Sequence, residues 1–439
     1  MTIGRFAKNI FDSIADAGEK FLDLRLRGSP TRVLIKLCED LVSHKGVASG
    51  VALAREVVHR YQSLKQDEKL KFLLEINQKF SPNFEEIKKA ADDFVLTPDE
   101  GALRNLSSTM ESNRKKLFSR MNMAPDGTPA IVSLRQDLLG FIKDHSQLRE
   151  LDEDLKELLT SWFNPGFLTL RRIDWDTEAS ILEKIIQYEA VHSIANWNDL
   201  KQRLVADRRC FAYFHPALED EPLIFVEVAL TKGIASSIQT IFKENGQSKE
   251  DANTAIFYSI NNCQQGLRQI PLGNFLIKRV VNELALELPS IKTYSTLSPV
   301  TGFTQWLQNE LKSDESEFLS QKEKEILNMI EHYSWPEDKE KRDMLQKPLI
   351  RACANYLVNI KKNGKPINAV ARFHFGNGAS LYRINWMGDT SRNGIKEYFG
   401  LLVNYLYDPK SIESNHERYV QEGKLAVSKS IRSALSWKI

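Results

Sequence analysis

The feature that most constrains this chain is a change of texture at Asn164-Pro165-Gly166. Ahead of it, from about Thr31 to Phe163, apolar residues recur three and four apart in TRVLIKLCEDLV, GVALAREVVHRYQSL, EKLKFLLEINQKF and LRELDEDLKELLTSWF. That spacing places one buried stripe on each helix, so this half is read as a helical bundle. Thr97-Pro98-Asp99-Glu100 has the form of a capping box with proline at the first helical position, which predicts a helix start at that point. Behind the turn come short β-rich runs: RCFAYFH (209–215), LIFVEVAL (223–230), TAIFYSI (254–260), TYSTLS (293–298), NAVARFHF (368–375) and ASLYRINW (379–386). Helical stretches separate them, among them LGNFLIKRVVNELALEL and KRDMLQKPLIRACANYLVNIK. Strands mixed with helices predict a sheet covered by helices, and the closeness of the first two runs makes that sheet mixed. The expected fold class is α+β: an all-α bundle over 1–166 followed by a mixed-sheet domain over 167–439.

A chain of 439 residues has room for two or three domains of ~100 to 200 residues each. The 42% hydrophobic and 27% charged residues are those of a globular protein, and no stretch reaches the ~20 apolar residues of a membrane helix. No membrane partner is expected. Sixty basic against 58 acidic residues leave a net charge of +2, so charge gives no reason to expect nucleic acid. Cys38, Cys210, Cys263 and Cys353 lie far apart without a CxxC pair, which fits a reducing compartment. Asp12, Asp16 and Glu19 in the amphipathic N-terminus argue against a transit peptide, and SWKI is no peroxisomal signal, so the expected location is the cytoplasm.

In the second half, NNCQQGLRQIPLGNFLIKRVVNEL follows a predicted strand and enters a long amphipathic helix. Strand, glycine-bearing loop and helix N-terminus can receive a phosphate, because free N–H groups and the helix dipole converge there. Arg268 would add a charge-assisted contact. The loop is neither a Walker A sequence nor GxGxxG, which counts against nucleotide hydrolysis and dinucleotide binding. In TYSTLSPVTGF, Tyr294, Thr296 and Ser298 alternate onto one face of a strand, with Ser298 at its carboxyl end. ARFHFGNGA (371–379) reads by its alternation as a half-buried strand that ends near His374 and turns at Gly376, Asn377 and Gly378. His192, His215 and His416 have no further His or Cys at short ligand spacing, and His416-Glu417 is not HExxH, so no metal is expected.

RRIDWDTEASILEKIIQYEAVH, RRCFAYFHPALEDEPLIFVEVALTKGI, SINNCQQGLRQIPLGNFLIKRVVNEL, TLSPVTGF, ARFHFGNGA, RINWMGD and VNYLYD follow one another in the order found in malonyl-CoA decarboxylases. The second half resembles that family throughout, and the helical half resembles its N-terminal domain. The resemblance implies a helical oligomerisation domain, a catalytic domain with the fold of the GNAT acetyltransferases, and likeness to enzymes that convert malonyl-CoA to acetyl-CoA and CO2. It puts catalytic roles on Ser298 of LSP and His374 of ARFH. It also makes Gln265, Gly266, Arg268, Gln269, Ile270, Pro271, Leu272, Gly273 and Asn274 the coenzyme A loop. Two departures stand in that loop: Gln269 occupies a position where the family often has glycine, and Pro271 one where the acetyltransferase loop usually has it. Pro271 offers no N–H.

Residue chemistry agrees with this expectation. The carboxylate of malonyl-CoA is β to a thioester carbonyl, so loss of CO2 leaves an enolate that the substrate's own carbonyl holds, and no cofactor is required. The protein must stabilise the oxyanion, orient a dry carboxylate and supply a proton to carbon. Histidine can supply it near neutral pH. Arg372, two residues before His374, is expected to share its face and favour proton release. Ser298 would hydrogen-bond the substrate carboxylate or the imidazole, and Asn377 and Tyr407 are further polar candidates. Acyl transfer to an amine and non-enzymatic acyl-CoA sensing are the alternative functions.

Overall fold

The computed structural model describes residues 3–20, 28–243, 251–274, 276–313, 315–331 and 335–437. Nine α-helices fill the described part of the first half, from Ile3–Glu19 to Arg149–Trp162. Their starts follow from local chemistry: Ser29 accepts from Arg32 N–H with Pro30 at the first position, Asn83 from Glu85 and Glu86, and Ser112 from Lys115. The expected start at Thr97 moves by two residues. Thr97 is the C-cap of helix Phe84–Leu96, and Asp99 is the N-cap of Glu100–Met110, its carboxylate taking Ala102 N–H at 2.7 Å. The apolar stripes meet as predicted in a core that includes Leu34, Val57, Phe72, Leu117, Phe118, Leu134, Leu151 and Leu155. Helices Phe84–Leu96 and Glu100–Met110 are the exception. Of their 13 and 11 residues only Ala90 is buried, while Phe84, Val95, Leu96, Leu103 and Met110 are exposed.

The main sheet has eight strands: β1 (Thr169–Ile173), β2 (Arg208–Phe214), β3 (Ile224–Thr231), β4 (Thr254–Asn262), β5 (Thr293–Thr296), β6 (Ser298–Pro299), β9 (Ser380–Asn385) and β10 (Leu402–Leu406). The path runs β1-β2-β3-β4-β5-β10-β6, with β9 also paired to β10. A separate ribbon joins β7 (Lys361–Lys362) to β8 (Lys365–Pro366). The sheet is mixed, as expected: β2 and β3 are antiparallel, β4 and β5 parallel, and β10 is antiparallel to β5, β6 and β9. The chain divides into two compact units. One comprises Met1–Thr169, Phe214–Leu223 and Asn262–Leu272; the other comprises Leu170–Tyr213, Ile224–Asn261 and Gly273–Ile439.

One predicted strand is a helix. Ala369–Gly376 is α-helical, with Asn368 as N-cap accepting Ala371 N–H at 2.7 Å. The residues it buries, Ala371, His374 and Phe375, stand at i, i+3 and i+4, and this helical period outweighs the alternation of Phe373 and Phe375. Asn377 and Gly378 then close the helix end by donating to Phe373 and Phe375 carbonyls.

Candidate active site

Ser298, His374 and Tyr407 come together from three elements of the sheet unit. Ser298 opens β6, His374 lies on the helix Ala369–Gly376, and Tyr407 follows β10. His374 Nε2 is 3.3 Å from Ser298 Oγ, and its Nδ1 is 2.7 Å from the Tyr407 hydroxyl. Ser298 Oγ donates in turn to Thr296 Oγ1 at 3.0 Å. The Tyr405 ring stacks on the imidazole with centroids 4.3 Å apart, which fixes its plane. Thr296, His374 and Tyr407 are at most 2% exposed, and Ser298 is 8% exposed.

The backbone explains this convergence. Where β5 gives way to β6, side chains take part in the ladder to β10: Thr296 Oγ1 accepts Tyr405 N–H at 3.0 Å, and Asn404 Nδ2 donates to Thr296 O at 2.6 Å. Asn368 joins the helix to the serine loop, since the amide that caps the helix also donates to Thr301 O at 2.8 Å. Tyr356 donates to the same carbonyl at 3.0 Å. Burial pushes the His374 pKa down to about 3, so the ring is neutral near pH 7. Burial also holds the Tyr407 hydroxyl well above the usual tyrosine range, and it stays protonated.

Arg372 and Asn377 take other places. Two residues along a helix is a turn of about 200°, so Arg372 leaves the His374 face and donates to the Pro366 and Ile367 carbonyls, both at 2.7 Å. Asn377 donates to Phe373 O at 2.8 Å. Among the described residues neither side chain hydrogen-bonds Ser298 or the imidazole. The sequence reading passed over Thr296, Asn368 and Tyr405 as site residues. The i, i+2 relation of Thr296 to Ser298 and the polar residue three places before Ala371 were the available signals.

The loop after β4 forms short turns at Gln265–Leu267 and Leu272–Asn274, ahead of helix Leu276–Glu287. Gln265, Arg268, Gln269 and Pro271 are exposed, whereas Gly266, Ile270, Leu272 and Gly273 are buried. Arg135, wholly buried on helix Gly127–Phe141, donates from Nη1 to Gly266 O at 2.7 Å and to Arg268 O at 2.9 Å. Its Nε donates to Asp152 at 2.8 Å. A Cβ at Gly266 would stand 1.9 Å from Val132 O, so only glycine lets the loop lie on that helix. A Cβ at Gly273 would lie 2.5 Å from the Phe373 ring, beside His374 in sequence. Since the Arg268–Gln269 peptide is trans and its carbonyl faces Arg135, Gln269 N–H points the opposite way. Gln269 has φ 69°, a left-handed backbone that favours glycine and costs a residue with Cβ about 1 kcal/mol or more.

The described residues contain no cluster of three His, Cys, Asp or Glu able to hold a metal ion, and no helix among them is long and apolar enough to cross a membrane.

Family models match both halves. The malonyl-CoA decarboxylase N-terminal domain covers residues 80–163 and the malonyl-CoA decarboxylase C-terminal domain covers 166–439. The mitochondrial malonyl-CoA decarboxylase of Anser anser anser is 40% identical over 348 residues, 73% of this chain and 69% of that protein. Its Rattus norvegicus counterpart is 38% identical over 346 residues, 73% of this chain and 70% of that one. The crystal structure of malonyl-CoA decarboxylase from Rhodopseudomonas palustris is 45% identical and superposes with a TM-score of 0.89, covering 92% of this chain and 100% of that chain. The Agrobacterium vitis enzyme is 42% identical with a TM-score of 0.87 and the same coverage. A helical half joined to a mixed-sheet half, with these matches along both, defines a carboxy-lyase. The chain belongs to the malonyl-CoA decarboxylase family.

Proposed function

We propose that this chain converts malonyl-CoA to acetyl-CoA and CO2, with His374 delivering the proton and Ser298 orienting the reacting groups. The observation that carries the proposal is the buried contact of His374 Nε2 with Ser298 Oγ, in a chain of this family. The breaking C–C bond aligns with the thioester π system, and CO2 departs from a dry pocket. The electron pair passes to the thioester oxygen as an enolate, and a proton from His374 at the α-carbon completes acetyl-CoA. The imidazole acts from its neutral form and gives up a ring N–H. Ser298 is within reach of the imidazole and holds it for proton delivery. Gln269 N–H and the exposed Arg268 suit the anionic end of coenzyme A, Pro271 withholding one donor. No added cofactor is needed, because the thioester itself is the electron sink.

The helical half is proposed to assemble a homo-oligomer, and its exposed apolar hairpin at 84–110 is the surface offered to a second copy. All four cysteines are buried as thiols, which supports a reducing compartment such as the cytoplasm.

Incubation with malonyl-CoA alone tests the reaction. Acetyl-CoA and CO2 should form without an amine acceptor and after exhaustive chelation, and in D2O the product should carry one solvent deuterium at C2. His374→Asn and Ser298→Ala should lower kcat by about 10²-fold or more while leaving coenzyme A affinity near wild type. Turnover only with an acceptor, rapid decarboxylation of succinyl-CoA, or full activity in either variant would overturn the scheme.

A further inference from the structure

A direction is built into the hydrogen-bond line through the imidazole. A serine hydroxyl has one hydrogen, and Ser298 spends it on Thr296 Oγ1. Toward His374 Nε2, 3.3 Å away, Ser298 can therefore only accept, so Nε2 carries the ring proton. A neutral imidazole has a single N–H, which leaves Nδ1 bare to accept from the Tyr407 hydroxyl at 2.7 Å. At the far end, Thr296 Oγ1 also takes Tyr405 N–H. The backbone of β10 thus anchors the acceptor to which the line runs.

We propose that Thr296 is a positioning residue that selects the tautomer of His374: by taking the Ser298 hydrogen it holds the ring with the proton on Nε2 and makes Tyr407 the donor at Nδ1. The inference rests on the reading of His374 as proton donor. It also completes the proton's path. As the enolate carbon forms its C–H bond with the Nε2 proton, the electron pair of the N–H bond stays on the ring. The negative charge left on the ring is held by the hydrogen bond that Tyr407 donates to Nδ1, and when solvent returns a proton to Nε2 the starting tautomer is restored. The long contact to Ser298 is the weakest in the line, and giving it up to a substrate carbon costs least.

The tautomer can be read without turnover from 15N-histidine NMR of the whole protein at neutral pH. In the wild type His374 should show a protonated Nε2 and a bare Nδ1. Thr296→Val, which keeps the shape and removes the acceptor, should populate the Nδ1–H form and lower kcat by about tenfold or more with KM unchanged. Thr296→Ser should restore both the tautomer and kcat. A wild-type ring protonated at Nδ1, or a Thr296→Val protein with unaltered tautomer and kcat, would overturn the assignment. If Thr296→Val does not fold, the wild-type spectrum still decides the tautomer. Full activity in His374→Asn would sink the decarboxylation scheme instead, leaving the tautomer reading to stand or fall on the spectrum.

Discussion

At the scale of the residue, burial determines how His374 can work. The unfolded chain begins to bind a proton on this side chain near pH 6.5, whereas the folded protein resists until about pH 3. The depressed pKa therefore contributes stability that is present above pH 6.5 and is lost as pH falls toward 3. His192, pushed down to about 4 chiefly by burial, acts in the same direction. We expect the melting temperature to fall between pH 6.5 and 4, with a smaller fall in His374→Asn. Over the same range kcat should show no step with a pKa of 6 to 7. A rate that rose on acidification through pH 6.5 would mean that imidazolium, rather than neutral imidazole, gives the proton. Gln269 makes a complementary point about reading sequence. Its departure from glycine was visible in the string of letters, but the cost of φ 69° appeared only with the backbone.

Among the elements, the helix Ala369–Gly376 and the loop that begins at Gln265 separate what was legible from what was not. Strands β2, β3, β4, β5 and β9 were legible as short β-rich runs bounded by turns, whereas β1, β10 and the ribbon of β7 and β8 were not read from the sequence. ARFHF carried both periods at once, and only burial of Ala371, His374 and Phe375 together decided between them. The loop's place between β4 and a helix was equally plain, but its support was not. Arg135 lies 131 residues from Gly266, and no local pattern announces that two loop carbonyls will converge on one guanidinium. Arg135→Lys keeps a charge beside Asp152 and loses the planar fork that holds Asp152 through Nε and both carbonyls through Nη1. Steady-state kinetics should then show KM for malonyl-CoA raised several-fold with kcat near wild type. An unchanged KM would show that the loop keeps its shape without the clamp. Arg135→Met should be worse in thermal melts, by about 3 to 5 kcal/mol, because it strands the Asp152 carboxylate in the interior.

The whole molecule presents one surface and one pattern of connectivity that matter beyond the site. On the hairpin at 84–110, Phe84 is 76%, Val95 77% and Leu96 80% exposed. Such a concentration of apolar side chains is a feature of interfaces. Replacing Phe84, Leu96 and Leu103 together by glutamate should lower the mass measured by light scattering and leave turnover per chain little changed; an unaltered mass would remove the hairpin from assembly. The helical unit also includes Phe214–Leu223 and Asn262–Leu272, two stretches drawn from between strands of the sheet. A chain emerging from the ribosome cannot complete its first unit until residue 272 has been made, by which time four of the eight strands have already been made. The long loops that must close before those contacts form slow the search and lengthen the exposure of unpaired strand edges. Synthesis of this protein is therefore a problem of waiting, in which early helices must remain soluble without their last pieces and the two units mature together.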